Sequence, residues 1–514
     1  MSTASESTRQ VEDLTEISQT SSSSAEKITV TESSPRETEK SDVEASAVEN
    51  ATPPTESLSK RRQILVLFIV CLAQFFDILN GNASIISLPE LGRDLGFEPG
   101  ALQWVLSAYT LTFASFMLIS GSVSDIFHPK PVFCAGFAVV GLFAIPVGAS
   151  VHPIMAIIFR ALQGIGAAMN VPSSLAMIRV AYQDPVELNH AYAWYASAGA
   201  IGNVLGFVIG GVLTARTSWR WVHYLIAIAV IPTSIVSWFI LPNPVPKTDR
   251  RRGIDLPGVL TLTAGLILFV YAISDSADSG WGSPQVIATL VLSVVIMGVF
   301  FVVERIVKEP ALPLQTWTNK NFIPLFFYGW TAYWWLLGME LQLVDVFTQL
   351  WHDSSLIAAV RCIPLGPSGV LSCYLAGKYV TRAPRTLLIG GPTLMAVASI
   401  LFALADTSDK YWSHVFTGLI IGHMGMGGLY VGCTTMIMSG ARKGEEGVVG
   451  AVTYTAYQMG ATLGLAVVSS ITLGVNSDRA PDPISQHAGY AASFWSLLAI
   501  NGFAMIVAIF FVRR

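Results

Sequence analysis

The stretch from Gln63 to Ser87, QILVLFIVCLAQFFDILNGNASIIS, carries a single charged residue, Asp77. An apolar run of this length spans the roughly 30 Å hydrocarbon core of a bilayer as one helix. Comparable runs recur as far as Val512, and fourteen candidate spans are read at 63–87, 101–121, 132–150, 154–178, 190–214, 221–241, 256–274, 286–304, 321–349, 355–377, 386–405, 413–438, 447–474 and 490–512. The expected fold class is therefore an all-α polytopic membrane protein. Composition agrees: of 514 residues 12% are charged and 52% apolar, and mean hydropathy is +0.56. Soluble domains average about a quarter charged residues, enough to cover a wet surface. With a net charge of -4 and no long basic stripe, nucleic acid is not an expected partner. The five cysteines lie inside apolar segments without CxxC pairs, which suggests neither a disulfide framework nor a metal site. No cofactor is expected.

Loop charge gives an orientation, because cytoplasmic loops carry excess Lys and Arg. With the N-terminus inside, the inner flanks hold Lys60, Arg61, Arg62, Lys130, Arg179, Lys247, Arg250, Arg251, Arg252, Arg305, Lys308, Lys320, Lys378, Arg382, Arg385, Arg442, Lys443, Arg513 and Arg514. The outer loops keep Arg93, Arg216, Arg220, Lys410 and Arg479. Both termini are expected in the cytosol, with an even number of spans. Ahead of the spans, residues 1–59 hold 23 Ser or Thr and 12 Asp or Glu against four Lys or Arg, and no aromatic residue. Such a segment buries too little apolar surface to offset its ordering entropy, so residues 1–62 are expected to form a disordered cytosolic tail.

Charged groups inside a membrane are costly and usually face a cavity or a partner. Asp77 lies about 21 Å along its helix from the inner end, and Arg160 about 9 Å in from the outer end, which puts them at similar depth. Two roles fit the pair: a proton carrier whose acid is tuned by Arg160, or a permanent structural pair beside Asn80. His423 falls near the midplane and is either a proton or substrate group or a histidine bonded between glycine-rich helices. Glu340, Asp345 and Arg361 lie towards the outer ends of their spans, as an ion pair at the external mouth or a cation entry site. Trp330 and Trp334 share a helix face, either towards a cavity, where rings bind cations and flat molecules, or towards lipid.

No G-x-x-x-x-G-K-[ST] loop is present, so any transport is expected to be secondary. The segment Arg160-Ala161-Leu162-Gln163-Gly164-Ile165-Gly166-Ala167-Ala168 resembles the R-x-x-Q-G-x-G-A-A motif of the major facilitator superfamily. Gly121-Ser122-Val123-Ser124-Asp125 with Lys130 resembles the inner-loop motif, with Ile126, His128 and Pro129 in place of its usual Arg, Gly and Arg. Gly202, Gly206, Gly210 and Gly211 resemble the antiporter motif, with Phe207 where a Pro is usual. The chain looks most like the fourteen-span drug:proton antiporter group, and Trp330 to Pro364 is similar to a fungal branch of aminotriazole-resistance and low-affinity ammonium transporters.

The resemblance implies two six-helix bundles, 63–241 and 321–514, with an added helix pair in 242–320. It implies a gating role for Gly121, Asp125 and the four glycines. A substrate cavity between the bundles is expected to draw on Asn80, Gln163, Trp330, Trp334 and Glu340. The implied function is drug resistance by proton-coupled efflux of a small organic molecule, through alternating access, by a monomer in the plasma membrane, with the vacuolar membrane as the other location. Two other readings stay open: a low-affinity ammonium or small-solute facilitator, and a transporter-like membrane sensor signalling through its tail. An enzyme is not expected.

Overall fold

Membrane-length helices follow from the apolar runs, and prolines and short polar side chains mark where they start. Pro153 opens one helix where His152 Nδ1 accepts from the Ile154 amide (3.3 Å). Asp255 accepts from the Gly258 amide (2.8 Å) ahead of another, and Asp482 from the Ser485 amide (3.0 Å) ahead of a third. Each cap satisfies an amide that the first helical turn leaves without a partner. The first long helix stops at Gly96, whose φ of 67° only a residue without a Cβ adopts freely.

The computed structural model describes residues 58–98, 101–242, 255–307, 321–380, 382–439, 446–477, 479–480 and 482–512. The α-helices are α1 (Lys60–Leu95), α2 (Trp104–Phe127), α3 (Pro129–Gly148), α4 (Pro153–Ala181), α5 (Pro185–Arg216), α6 (Arg220–Ile240), α7 (Leu256–Ser279) and α8 (Pro284–Ile306). They continue as α9 (Phe322–Asp345), α10 (Ser355–Cys362), α11 (Leu365–Tyr379), α12 (Pro384–Ala403), α13 (Thr417–Ser439), α14 (Glu446–Asn476) and α15 (Pro483–Ile506). The expected tail falls almost wholly outside the described residues, although Lys60, Arg61 and Arg62 belong to α1. Of the charges counted for orientation, Lys247, Arg250, Arg251, Arg252, Lys308, Lys320, Arg442, Lys443, Arg513 and Arg514 also lie outside them.

Among the described residues, 12 helical stretches are long and apolar enough to cross a membrane. Two of the fourteen expected segments are not among them. In α2 the apolar stretch counted is Trp104–Met117, which stops where the Leu118 side chain falls outside the described residues, although the helix itself runs on to Phe127. In α9 the hydropathy is lowered by Glu340, Gln342 and a run of Tyr and Trp side chains.

The helices from Leu58 onward form one unit. Within it α1 packs on α5, α2 and α3 on α4, and α6 on α3. Later in the chain α9 packs on α14, α12 on α13 and α15, and α11 on α13. Two seams join these groups: α2 against α14, and α5 against α10 and α11. Helix α7 touches both α2 and α14, and α8 packs on α7. The outer face of α8 is apolar and open, with Val291, Val294, Val295 and Val302 exposed, as a lipid-facing helix requires.

Glycine decides how close these helices come. A Cβ at Gly202 would lie 2.5 Å from the Phe75 carbonyl oxygen, one at Gly206 2.9 Å from that of Leu79, and one at Gly210 2.7 Å from Ala83 Cα. This stripe of α5 is thus the floor on which α1 lies. Gly211 faces elsewhere, where a Cβ would meet the Ser355 carbonyl oxygen of α10 at 2.7 Å. Without water to drive association, such backbone approach is the main source of helix cohesion in lipid.

Candidate functional site

The R-x-x-Q-G segment of α4 builds a polar network because Gly164 has no side chain. A Cβ there would collide with Thr112 Oγ1 and the Tyr109 carbonyl oxygen of α2. The resulting approach sets Arg160, one turn earlier, over the Tyr109 ring, with its guanidinium carbon 4.4 Å from the ring centre. Arg160 is 1% exposed. It donates from Nε to the Val105 carbonyl (3.1 Å), and from one terminal nitrogen to Gln163 Oε1 (3.0 Å) and Asn80 Oδ1 (3.4 Å). Gln163 in turn donates to the Val140 carbonyl (3.2 Å). The Tyr109 hydroxyl donates to Asp77 Oδ1. Asp77 and Arg160 therefore meet through Tyr109, and not as the direct pair that their matching depth suggested. Tyr109 was missed in the sequence because a lone Tyr in an apolar span carries no motif.

Between the two groups of helices lies a cavity. It offers about 120 Å³ to the centres of water-sized molecules, within about 750 Å³ of atom-free space that includes its opening to solvent. Its wall takes Gln74 and Ile78 from α1, Tyr195, Gly199 and Asn203 from α5, Tyr333 and Leu336 from α9, Gly369 and Cys373 from α11, His423, Met426 and Tyr430 from α13, and Tyr454 from α14. Tyr333 stacks on Tyr430 (6.3 Å between centres, 11° between planes) and on Tyr457 (5.4 Å, 26°). The Tyr430 and Tyr454 hydroxyls are 2.9 Å apart. Asp77 sits on α1 between the wall residues Gln74 and Ile78, so the Arg160 network backs onto this wall.

The candidates distribute as follows. His423 is in the wall, with its ring 6.1 Å from that of Trp335. Asn80 and Gln163 are not: both are fully buried and engaged by Arg160. Nor are Trp330 and Trp334. Trp330 packs among Phe269, Phe326 and Phe327, and Trp334 lies against Gly464 of α14. The helix period explains this, since Tyr333 and Leu336 hold the cavity face of α9 and leave the paired tryptophans on the α14 side. Glu340 stands one layer behind the wall, accepting from Asn203 Nδ2 (2.9 Å).

Beyond the C-terminal end of α9, Arg361 pairs with Asp353 (3.0 Å), and not with Asp345 or Glu340. Its guanidinium is also caged by Phe347, Trp351 and Tyr411 at 5.5, 4.8 and 5.0 Å. Burial pushes the Asp353 carboxyl above its ordinary value, and the Arg361 charge opposes that rise. Gly121 faces Ala451 of α14 across the seam between α2 and α14, while the Asp125 side chain lies outside the described residues. Gln74, Asn203, Tyr195, Tyr430 and Tyr454 are wall residues that no motif marks. Gln74 alone had a usable signal, one turn before Asp77 on the same span.

The superfamily model described as "Major Facilitator Superfamily" matches residues 70–465. The chain belongs to the Major Facilitator Superfamily. As a member it is a multi-pass membrane transporter and not an enzyme, and its motifs and relatives agree with the drug:proton antiporter group. It is 32% identical to the puromycin resistance protein pur8 of Streptomyces alboniger, over 80% of this chain and 82% of that one. It is 26% identical to the efflux pump terG of Aspergillus terreus (88% and 87% covered). Identity is also 26% to the low affinity ammonium transporter of Saccharomyces cerevisiae (86% and 86%). Among solved structures, the human organic anion transporter MFSD10 (TETRAN) aligns with a TM-score of 0.59 at 16% identity, over 89% of this chain and 100% of that one. That last likeness speaks for the fold alone.

Proposed function

We propose that this transporter is a proton-coupled exporter of a small organic molecule, working as a monomer in the plasma membrane by alternating access. In this reading all fourteen helical segments cross the bilayer, with α10 and α11 as one broken span and both termini cytosolic. The bundles 63–241 and 321–514 rock about the central cavity, with the pair in 242–320 beside them. The observation that carries the reading is the Asp77, Tyr109 and Arg160 chain backing onto a cavity walled from both sides. A proton leaving Asp77 changes the charge felt by Arg160 through one ring, and Gln74 and Ile78 on the same helix face transmit that change to bound solute. Relatives named for drug resistance and efflux support the cargo class.

The test is uptake into inverted-orientation proteoliposomes under an imposed pH gradient, with puromycin and a panel of planar organic solutes. Accumulation that collapses with a protonophore is the expected result. The second reading, an ammonium or small-solute facilitator, is favoured by the yeast relative. It gives equilibration without accumulation, and methylammonium belongs in the same panel. Deleting residues 1–59 separates both from a sensor, because a transporter keeps its flux without the tail.

A further inference from the structure

Several buried polar atoms have no hydrogen-bond partner among the described residues, and two of them are oxygens of the cavity wall: Gln74 Oε1 and Asn203 Oδ1. Gln74 is 9% exposed. A buried polar atom without a partner costs about 1–3 kcal/mol, so two on one wall mark a place where a ligand supplies the missing bonds.

The sign of that ligand follows from Glu340. Its Oε1 accepts a hydrogen bond from Asn203 Nδ2 across the α5 and α9 contact (2.9 Å). In its ionised form Glu340 only accepts, and so fixes which end of the amide faces it. Asn203 must then turn its carbonyl oxygen away from Glu340, as an acceptor. The Asn82 amide, from α1, bonds to the Asn203 backbone carbonyl (3.1 Å) and holds that backbone in place. Gln74 presents a second oxygen from the neighbouring helix.

We propose that the cavity selects planar solutes that carry N–H or O–H donors, and that Glu340 sets this preference by orienting the Asn203 amide. This rests on the exporter reading for the cavity being the cargo site, but it concerns binding and needs no proton gradient. Glu340 acts as a positioning residue and Asn203 as the group that touches solute. The Tyr333 ring supplies the flat face that such a solute stacks on.

The test is binding of two fluorescent dyes to the purified full-length protein in detergent. Proflavine and acridine orange are the same tricyclic cation, except that proflavine's exocyclic amines carry N–H groups and those of acridine orange are dimethylated. The readout is the ratio of their Kd values, acridine orange over proflavine. Asn203→Leu is expected to lower that ratio about tenfold, the loss of one neutral hydrogen bond. Glu340→Leu should lower it about threefold, while Glu340→Gln, which still has an oxygen to offer the amide, should restore most of it. Gln74→Leu provides an independent arm should Asn203→Leu not fold. If the variants weaken both dyes equally, or if the wild type binds neither dye, the proposal is overturned. Failure of pH-driven transport alongside an intact ratio shift would instead remove the exporter reading and leave this one standing.

Discussion

Two arginines, Arg160 and Arg361, both lie over aromatic rings and yet are neutralised in opposite ways. Arg361 is met on the spot by a carboxylate at 3.0 Å and three surrounding rings. Arg160 has neutral partners, one ring, and an acid that it reaches only through that ring. A direct ion pair compensates its charge locally, so the Arg361 clasp suits a fixed corner joining α10 to the end of α9. A charge whose compensation is spread over neutral groups responds when Asp77 gains or loses a proton, as a coupling element must.

The largest effect expected from this difference is that of Arg160→Met. It strands the side-chain oxygens of Asn80 and Gln163 in a dry interior, at about 1–3 kcal/mol for each orphaned group. Thermal unfolding in detergent should fall by many degrees and transport should be lost. An Arg160→Met protein with near-normal stability and flux would show that the network is ornamental. Next comes Asp77→Asn, which should abolish solute accumulation driven by a pH gradient while sparing downhill exchange. The neutral amide imitates an acid that never releases its proton. Retained accumulation with an unchanged pH dependence would move coupling away from the Arg160 network altogether.

The sequence made some of this visible and hid the rest for a physical reason. The helices, their approximate limits and the placing of Asp77 and Arg160 inside the helices were legible, because apolar length and intramembrane charge are local properties. Gly202, Gly206 and Gly210 announced a close helix contact by their spacing, but not that α1 is the partner. Which side chains reach the cavity was much less legible. Trp330 and Trp334 drew attention as unusual residues, yet the wall uses Tyr333 from the same helix and tyrosines from α5, α13 and α14. Cavity membership depends on helix rotation and on partners hundreds of residues away. Likewise the partner of Arg361 is Asp353, eight residues before it across a turn, and not the more conspicuous Asp345 or Glu340.

A smaller effect tests the rings. Tyr333→Ala should weaken proflavine binding about fivefold by removing a stacking face, whereas Trp334→Ala, against Gly464, should change it less than about twofold. Equal losses would return the tryptophans to the cavity.

The smallest expected effect belongs to Asp353, and it probes the other side of the two-arginine comparison. Because burial raises its carboxyl above the unfolded value, the folded chain favours the protonated acid. The associated stability is present below about pH 4, the ordinary carboxylate value, and is lost as pH rises through the higher folded one. Asp353→Asn stays neutral throughout and should lack that decline, so its unfolding midpoint relative to wild type should drift upward as pH rises above about 4. The partly exposed pair limits the change to about 1 kcal/mol or less. The proton dependence of transport should be unchanged, since Arg361 keeps its three rings and touches no group of the Asp77 network. If Asp353→Asn instead shifts the pH profile of transport as far as Asp77→Asn does, the clasp is not a fixed corner. Both arginines would then belong to the proton cycle.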